Sequence, residues 1–581
     1  MHGGAHRTGA RRATFASPCP TRDTVPMPDL ILGPLLRYVS DTEATVWVET
    51  DAPCEVDVLG YRASTFTVAG HHYALVLLDT LPAGSTLPYE VKVDGETRWP
   101  LPDDPYPPCV IRTHTHDEAL RLAFGSCRVS VPHTEPYVLS KDDDERGREV
   151  DALLALVERI RDESSSEWPD ALLLLGDQVY ADEVSPETKK LIAARRGSGG
   201  PPVDEVGDFE EYTSLYRESW SDPALRWLLS TVSSAMIFDD HDVHDDWNTS
   251  QAWVEKMRAI PWWEERVLGA YMSYWIYQHL GNVSPAGLFD DPIFCAVQQA
   301  EGDCEQLVRD FARTAKDEIA GARWSYHRDF GRTRLVVVDS RAGRVLTEGR
   351  RQMLSDVEWA WVEDACSGDF DHLVIGTSLP VMLAAGMHHL EAWNEAVCGG
   401  AWGGLAARAG EKVRQALDLE HWAAFEGSFR RLSVLLEDVA AGRRGPAPAT
   451  IVLLSGDVHH AYLAEAWFPG REVTSRVLQA TCSPVRNPLG KNERRALRAA
   501  FTRPVIALAR AMARSAGVPE SPMRWSFAQE PTFDNQVARL DLCGREAGVL
   551  IEKTVPEDWQ TPKLHCILSL GIDPKLEPSV R

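Results

Sequence analysis

Three stretches of this chain carry acids and imidazoles at the ends of short apolar runs. ALLLLGDQVY at 171–180 and IVLLSGDVHH at 451–460 each close in Gly-Asp, and SAMIFDDHDVHDDWN at 234–248 leads a third run into a dense cluster of Asp and His. Gly-Asp also occurs at 207–208, 302–303 and 368–369, but no apolar run precedes it there. A buried strand that stops at a carboxylate delivers its oxygens to the carboxyl edge of an α/β sheet, where such sheets place their ligands. Three such ends, rich in oxygen and nitrogen donors, predict a metal centre.

A two-metal site needs one carboxylate shared by both ions, further ligands on each, and a water between them. Asp177 is the natural bridge, because Gly176 leaves room for a turn at the end of its strand. Tyr180, three residues on, is open between a phenolate ligand and an aromatic cap on the core. Cys127 ends the run LRLAFGSCR (120–128) as Asp177 ends the next. A lone strand Cys usually serves as a small buried hydrophobe; at a strand end beside Asp177 it is also a ligand candidate. A thiolate would select a transition metal such as iron over magnesium or calcium. Within FDDHDVHDD, Asp240 and His241 are the attractive pair, a carboxylate ligand followed by an imidazole that protonates a leaving oxygen. The other acids of that cluster read as solvated loop residues. Asp457 and His459, two apart on an extended segment, would point to one side, and His460 to the other, as a core or supporting histidine.

These residues require strands and helices in alternation. The segment 148–163 places Val150, Leu153, Leu154, Val157 and Ile160 on one helical face, a crossover between the strands that end at Cys127 and Asp177. Further strands are expected at 333–341, 372–380, 450–468 and 474–483, a Trp-rich helical insertion at 251–320, and mostly β structure at 520–572. Before the Pro-rich LPDDPYPPCV (101–110) the pattern is all-β, with a hairpin turn at Asp94-Gly95, and suggests a small immunoglobulin-like sandwich. The organisation expected is a disordered tail at 1–28, in which Met27 is a second possible start, a β-sandwich at 29–113, and an α/β domain at 120–572.

Composition narrows the function. The 581 residues are 44 % hydrophobic and 25 % charged, a globular balance, and a net charge of −26 argues against a general binder of nucleic acid or anionic membranes. Bound cations can still reverse the field locally, so phosphate chemistry survives. Eleven scattered cysteines without C-x-x-C suggest a reducing compartment. Arg11-Arg12 is not followed by the apolar stretch that export signals contain, and no run is long enough to span a membrane, so the location expected is cytoplasmic.

The ordered set FGSC, GDxxY, DDHD, GDxH resembles the alkaline phosphatase D (PhoD) branch of the calcineurin-like metallophosphoesterases, over roughly residues 120 to 570, and the preceding sandwich is similar to that branch's N-terminal domain. The resemblance implies a layered β-sandwich flanked by helices. It further implies iron held by Cys127, Asp177, Tyr180 and His459, and a harder ion, calcium, held by Asp177, Asp240 and Asp457. The implied reaction is hydrolysis of a small-molecule phosphomonoester or phosphodiester by in-line attack of metal-activated hydroxide, with His241 assisting the leaving group. The superfamily usually has another histidine ligand before GHxH; His388 and His389 are the candidates, although calcium needs none. Arg128 and Arg486 are open between phosphate clamps and surface arginines, and Trp247, Trp253, Trp262, Trp263 and Trp275 between a roof on the cleft and the insertion's own core. A serine hydrolase is disfavoured, since GTSLP at 376–380 breaks the nucleophile-elbow pattern. The non-enzymatic alternative is a silent scaffold whose β-sandwich does the binding.

Overall fold

The computed structural model describes Met1 and residues 27–572 except 116–118, 198 and 319–320; the tail expected at 1–28 lies almost wholly outside the described residues. The N-terminal region is built of antiparallel sheets. Leu30–Val39, Ala44–Thr50, His71–Leu78 and Phe66–Val68 form one, and Tyr61–Ser64, Glu55–Val58, Val91–Val93 and Glu96–Trp99 the other. Val46, Val48, Val56, Val76, Val91 and Trp99 fill the space between them. The alternation in ATVWVET would leave one face of its strand in water, yet every residue of Ala44–Thr50 is buried. Trp47 and Tyr73 face away from the sandwich core, and Trp47 packs against Tyr277 with ring centroids 5.2 Å apart. Arg37, wholly buried, donates to the Tyr277 and Gln278 carbonyls at 2.8 and 2.7 Å. The sandwich is thus fused to the helical segment after residue 250.

The remainder is a sandwich of two mixed sheets with helices outside. In the first, the strands run in the order Ser233–Ile237, Ala171–Leu175, Leu120–Gly125, Gln536–Cys543, Glu546–Lys553 and His565–Ile572. Its first three strands are parallel. In the second, the parallel strands Thr333–Val338, His372–Thr377, Thr450–Ser455 and Arg476–Thr481 lie between antiparallel edges. Parallel strands covered on both faces read as continuous apolar runs, which is why ALLLL and TIVLLS are legible. Leu173 and Leu175 meet Val337, Val374, Val452 and Leu454 between the sheets, while Val336, Leu373 and Leu453 turn outward to Trp359, Leu432 and Leu436 of the helices Asp356–Ala365 and Glu426–Ala440.

The crossover helix runs Ala152–Asp162, capped by Asp151, which accepts from the Leu153 amide. It starts later than its apolar pattern, so Val150 is buried ahead of it. Helices occupy the span from Gln251 to Asp317, with a π-helical turn at Tyr274–His279. The C-terminal strands complete the first sheet, except Arg524–Phe527, which edges the second. Among the described residues, no helix is long and apolar enough to cross a membrane.

Candidate metal centre

The carboxyl ends of the parallel strands of both sheets converge. Gly125 leads to Cys127, Leu175 to Asp177, Ile237 to Asp239 and Asp240, Val338 to Arg341, and Ser455 to Asp457 and His459. Two glycines permit the approach. A Cβ on Gly456 would overlap the Ser126 side chain and lie 3.3 Å from the Leu175 carbonyl; one on Gly176, whose φ is +108°, would lie 2.5 Å from the Asp239 Cβ. Cys127, Asp177, Asp457 and His459 all have left-handed backbones, with φ of 58°, 50°, 65° and 50°. Such conformations cost non-glycine residues about 1–3 kcal/mol each and gather where function fixes a side chain. The GDVHH segment is accordingly not extended: Val458 and His459 donate to the carbonyls two residues back, each at 2.8 Å, and tight turning, not alternation, aims its donors.

Donor atoms of Cys127, Asp177 and His459 lie within 4.8 Å of one another, as do those of Asp177, Asp239 and Asp240. Asp177 is common to both groups. Asp177 Oδ1 and Asp239 Oδ2 are buried and have no hydrogen-bond partner, an arrangement a cation would satisfy. Burial, then the charges of Asp240, Asp242 and Asp457, push Asp177 far above the carboxylate range against the pull of His241; burial likewise raises the Cys127 thiol, beside Asp177 and Asp457. A bound cation would reverse both shifts. Ser483 Oγ donates to Cys127 Sγ at 3.1 Å, and the Tyr180 hydroxyl reaches Asp177 Oδ2 at 3.4 Å and receives a bond from Asn487 at 3.2 Å. Oxygen, sulfur and nitrogen donors on one side and oxygens alone on the other fit a softer and a harder ion.

His241 lies beside Tyr180, with rings 4.7 Å apart, and its Nδ1 contacts both Asp182 oxygens at 2.9 and 3.1 Å. Burial opposes its charged form, but Asp182 outweighs that and raises its pKa well above the usual value. The imidazole is held in its charged form, with Nε2 3.7 Å from Asp245 Oδ1. Asp242 binds the loops together, accepting from the amides of Asp177 at 3.0 Å and Asp239 at 2.9 Å.

Residues 155–312 match a family described as PhoD-like phosphatase. They are thus similar to a family of phosphoric ester hydrolases. Residues 27–111, the sandwich, match a family described as Domain of unknown function (DUF7800). Of solved structures, one described as PhoD is similar at 12 % identity, with a TM-score of 0.58, covering 94 % of this chain and 91 % of that one, a likeness of fold. A purple acid phosphatase from yellow lupin (Lupinus luteus) seeds is similar at 11 % identity, with a TM-score of 0.45, covering 94 % and 74 %. No curated protein matches in sequence.

Several expectations fall elsewhere. His388 and His389 do not join the centre; they line a separate cavity with Trp525 and Arg510. The histidine that does approach is His421, whose Nε2 faces Asp457 Oδ2 at 3.3 Å while Nδ1 contacts Glu391 at 2.6 Å. Arg128 and Arg486 are neither clamps nor surface groups. Both are buried, Arg128 on Asp151 at 2.8 Å and Arg486 on the Val131 and Pro132 carbonyls. The tryptophans mostly make the insertion's core, Trp253 packing edge-on with Trp263 at 5.5 Å and Trp275 wholly buried. His460 turns from the donors, contacting the Val458 carbonyl through Nδ1 and stacking on Phe533.

Asp239 and Asp242 are buried instead of solvated, Asp239 because Arg341 pairs with it. Arg341 was not among the sequence candidates. With no exposed side-chain surface, it also reaches Asp240 at 3.2 Å, Asp457 at 3.3 Å and Glu420 at 2.5 Å. The signal available was Asp339-Ser340-Arg341 closing an apolar strand as Asp177 and Asp457 do. Asp182 was also missed, although it lies five residues beyond the bridge.

Proposed function

We propose that this chain hydrolyses small phosphate esters at a binuclear centre in which Asp177 is shared between the ions. Cys127, Asp177, Tyr180 and His459 would hold the softer ion, iron, and Asp177, Asp240 and Asp457 the harder one, calcium. The observation that carries this reading is the place of Asp177 in two overlapping donor groups, with one of its oxygens buried and unpartnered. When bound, such cations lower the pKa of water from about 15.7 towards 7 and neutralise the phosphoryl oxygens.

The protein's own groups do the rest. Arg341, fixed between Asp239, Asp240, Asp457 and Glu420, orients the acids of the harder site and offsets part of their charge. Glu391 and His421 hold Asp457 from its other side. His241, charged by Asp182, gives its Nε2 proton to the departing alkoxide. The ten described cysteines are all free, which supports a reducing, cytoplasmic setting.

Elemental analysis of the purified protein beside Asp177→Asn tests the centre, together with hydrolysis of a chromogenic phosphomonoester and a phosphodiester. Loss of bound metal and of both activities in the variant is expected. Undiminished metal and turnover would overturn the bridge. The preferred ester decides between monoesterase and diesterase.

A further inference from the structure

A cavity of about 670 Å³ lies apart from the centre, between the helices Ala385–Cys398 and Arg503–Ser515 and against the edge strand Arg524–Phe527. Its size is that of a small-molecule site, and its lining combines an apolar wall with a cluster of polar and charged groups. Trp467, Phe501, Trp525 and Phe527 provide the apolar surface.

His388 is the polar group within. It is 4 % exposed, and its Nδ1 has no hydrogen-bond partner. Trp525 and Phe429 stand edge-on to its ring at 5.0 and 4.8 Å. Burial, then the neighbouring His389 and Arg430, lower its pKa to about 3, so the imidazole is neutral, with one nitrogen to donate and one to accept. An unpaired buried polar atom costs about 1–3 kcal/mol, which a ligand that meets it recovers.

The rim is cationic. Arg510, Arg514 and Arg524 line it against Glu520, which Arg514 holds at 2.6 Å. The other acid of the lining, Glu426, is paired with Arg430 at 2.6 Å. Arg510 donates to His389, a neutral acceptor, at 3.1 Å. Two guanidiniums, of Arg510 and Arg524, are therefore left over for an anion in a protein whose net charge is −26.

We infer that this cavity binds an amphipathic anion: an aromatic or alkyl body laid on Trp525 and Phe527, a polar atom within reach of His388, and a carboxylate or sulfonate head at Arg510 and Arg524. The site shares no residue with the metal centre, so its occupation does not depend on the catalytic reading.

The full-length protein titrated with 8-anilinonaphthalene-1-sulfonate, followed by probe fluorescence, tests it. Saturable binding of one probe per chain is expected, displaced by decanoate and not by decanol. Arg510→Ala with Arg524→Ala should weaken it about tenfold, the loss of a charge-assisted contact. Ala385→Trp, which fills the cavity, should abolish it with the melting temperature preserved; should that variant fail to fold, the double arginine variant decides. Absence of saturable binding, equal displacement by decanol, or unchanged affinity in the arginine variant would each overturn the assignment. Asp177→Asn should bind the probe as wild type does.

Discussion

Gly456→Ala gives a sharp test of how the two sheets position the centre. The added Cβ overlaps Ser126 Oγ and Cβ and sits 3.3 Å from the Leu175 carbonyl. Carbon contacts settle near 3.5–4.0 Å, so the strand ends carrying Cys127 and Asp457 must part by roughly 1 Å or more. Overpacking of this kind costs about 1–3 kcal/mol. Ser126 Oγ also accepts from the Asp457 amide at 3.0 Å, and losing that bond adds about 1 kcal/mol. The total is about 2–4 kcal/mol. For a cooperative unit of roughly 450 residues, an unfolding entropy near 2.1 cal/mol/K per residue makes this about 2–4 °C of melting temperature. Activity should suffer more, because a displacement of about 1 Å costs on the order of a hundredfold in rate. Thermal unfolding and ester hydrolysis on the same preparation separate the two. Ser126→Gly added to Gly456→Ala removes the overlapping atoms and should recover the packing cost but not the lost hydrogen bond. Wild-type activity in Gly456→Ala alone would refute the claim that the closeness of these two strand ends sets the site.

His241→Ala should lower kcat by about 10²–10⁴ for alkyl esters and much less for nitrophenyl esters, whose leaving group needs no proton; steady-state kinetics across leaving groups checks this, and Asp182→Ala should show the same bias more weakly. Arg37→Met leaves the Tyr277 and Gln278 carbonyls unpaired inside the junction with the sandwich and should cost about 3 kcal/mol in chemical denaturation. At that junction, burial disfavours the His71 imidazolium, but Glu49 at 3.2 Å and Glu210 at 2.8 Å outweigh it and raise the pKa. A raised histidine stabilises the fold fully below the unfolded value near 6.5, and that contribution fades as pH rises through the folded value. His71→Gln should therefore lower the melting temperature at pH 5.5 and change it little at pH 9.

What was legible in the chain is what local chain physics writes there. Parallel strands buried on both faces must be apolar throughout, so ALLLL and TIVLLS announce themselves, and the polar residue that ends each run marks the sheet edge. The covering of the N-terminal sandwich was not legible, because the alternation of ATVWVET is the same whether Trp47 meets water or Tyr277. The charge balance of the centre was hidden for a related reason. Asp239, Asp240 and Asp457 announce an excess of negative charge, but their partners Arg341 and His421 come from parts of the chain that only the second sheet and its flanking helices bring near. A buried arginine has no periodicity of its own, and His421 follows a helix, not a strand. Position still carried a clue: a cation three residues past a buried parallel strand, in a sheet whose parallel strand Thr450–Ser455 leads to an acid, is placed to meet that acid. By that rule Asp339-Ser340-Arg341 belonged with Gly176-Asp177 and Gly456-Asp457, and the strand ends of both sheets, read together, contain the centre's cation as well as its anions.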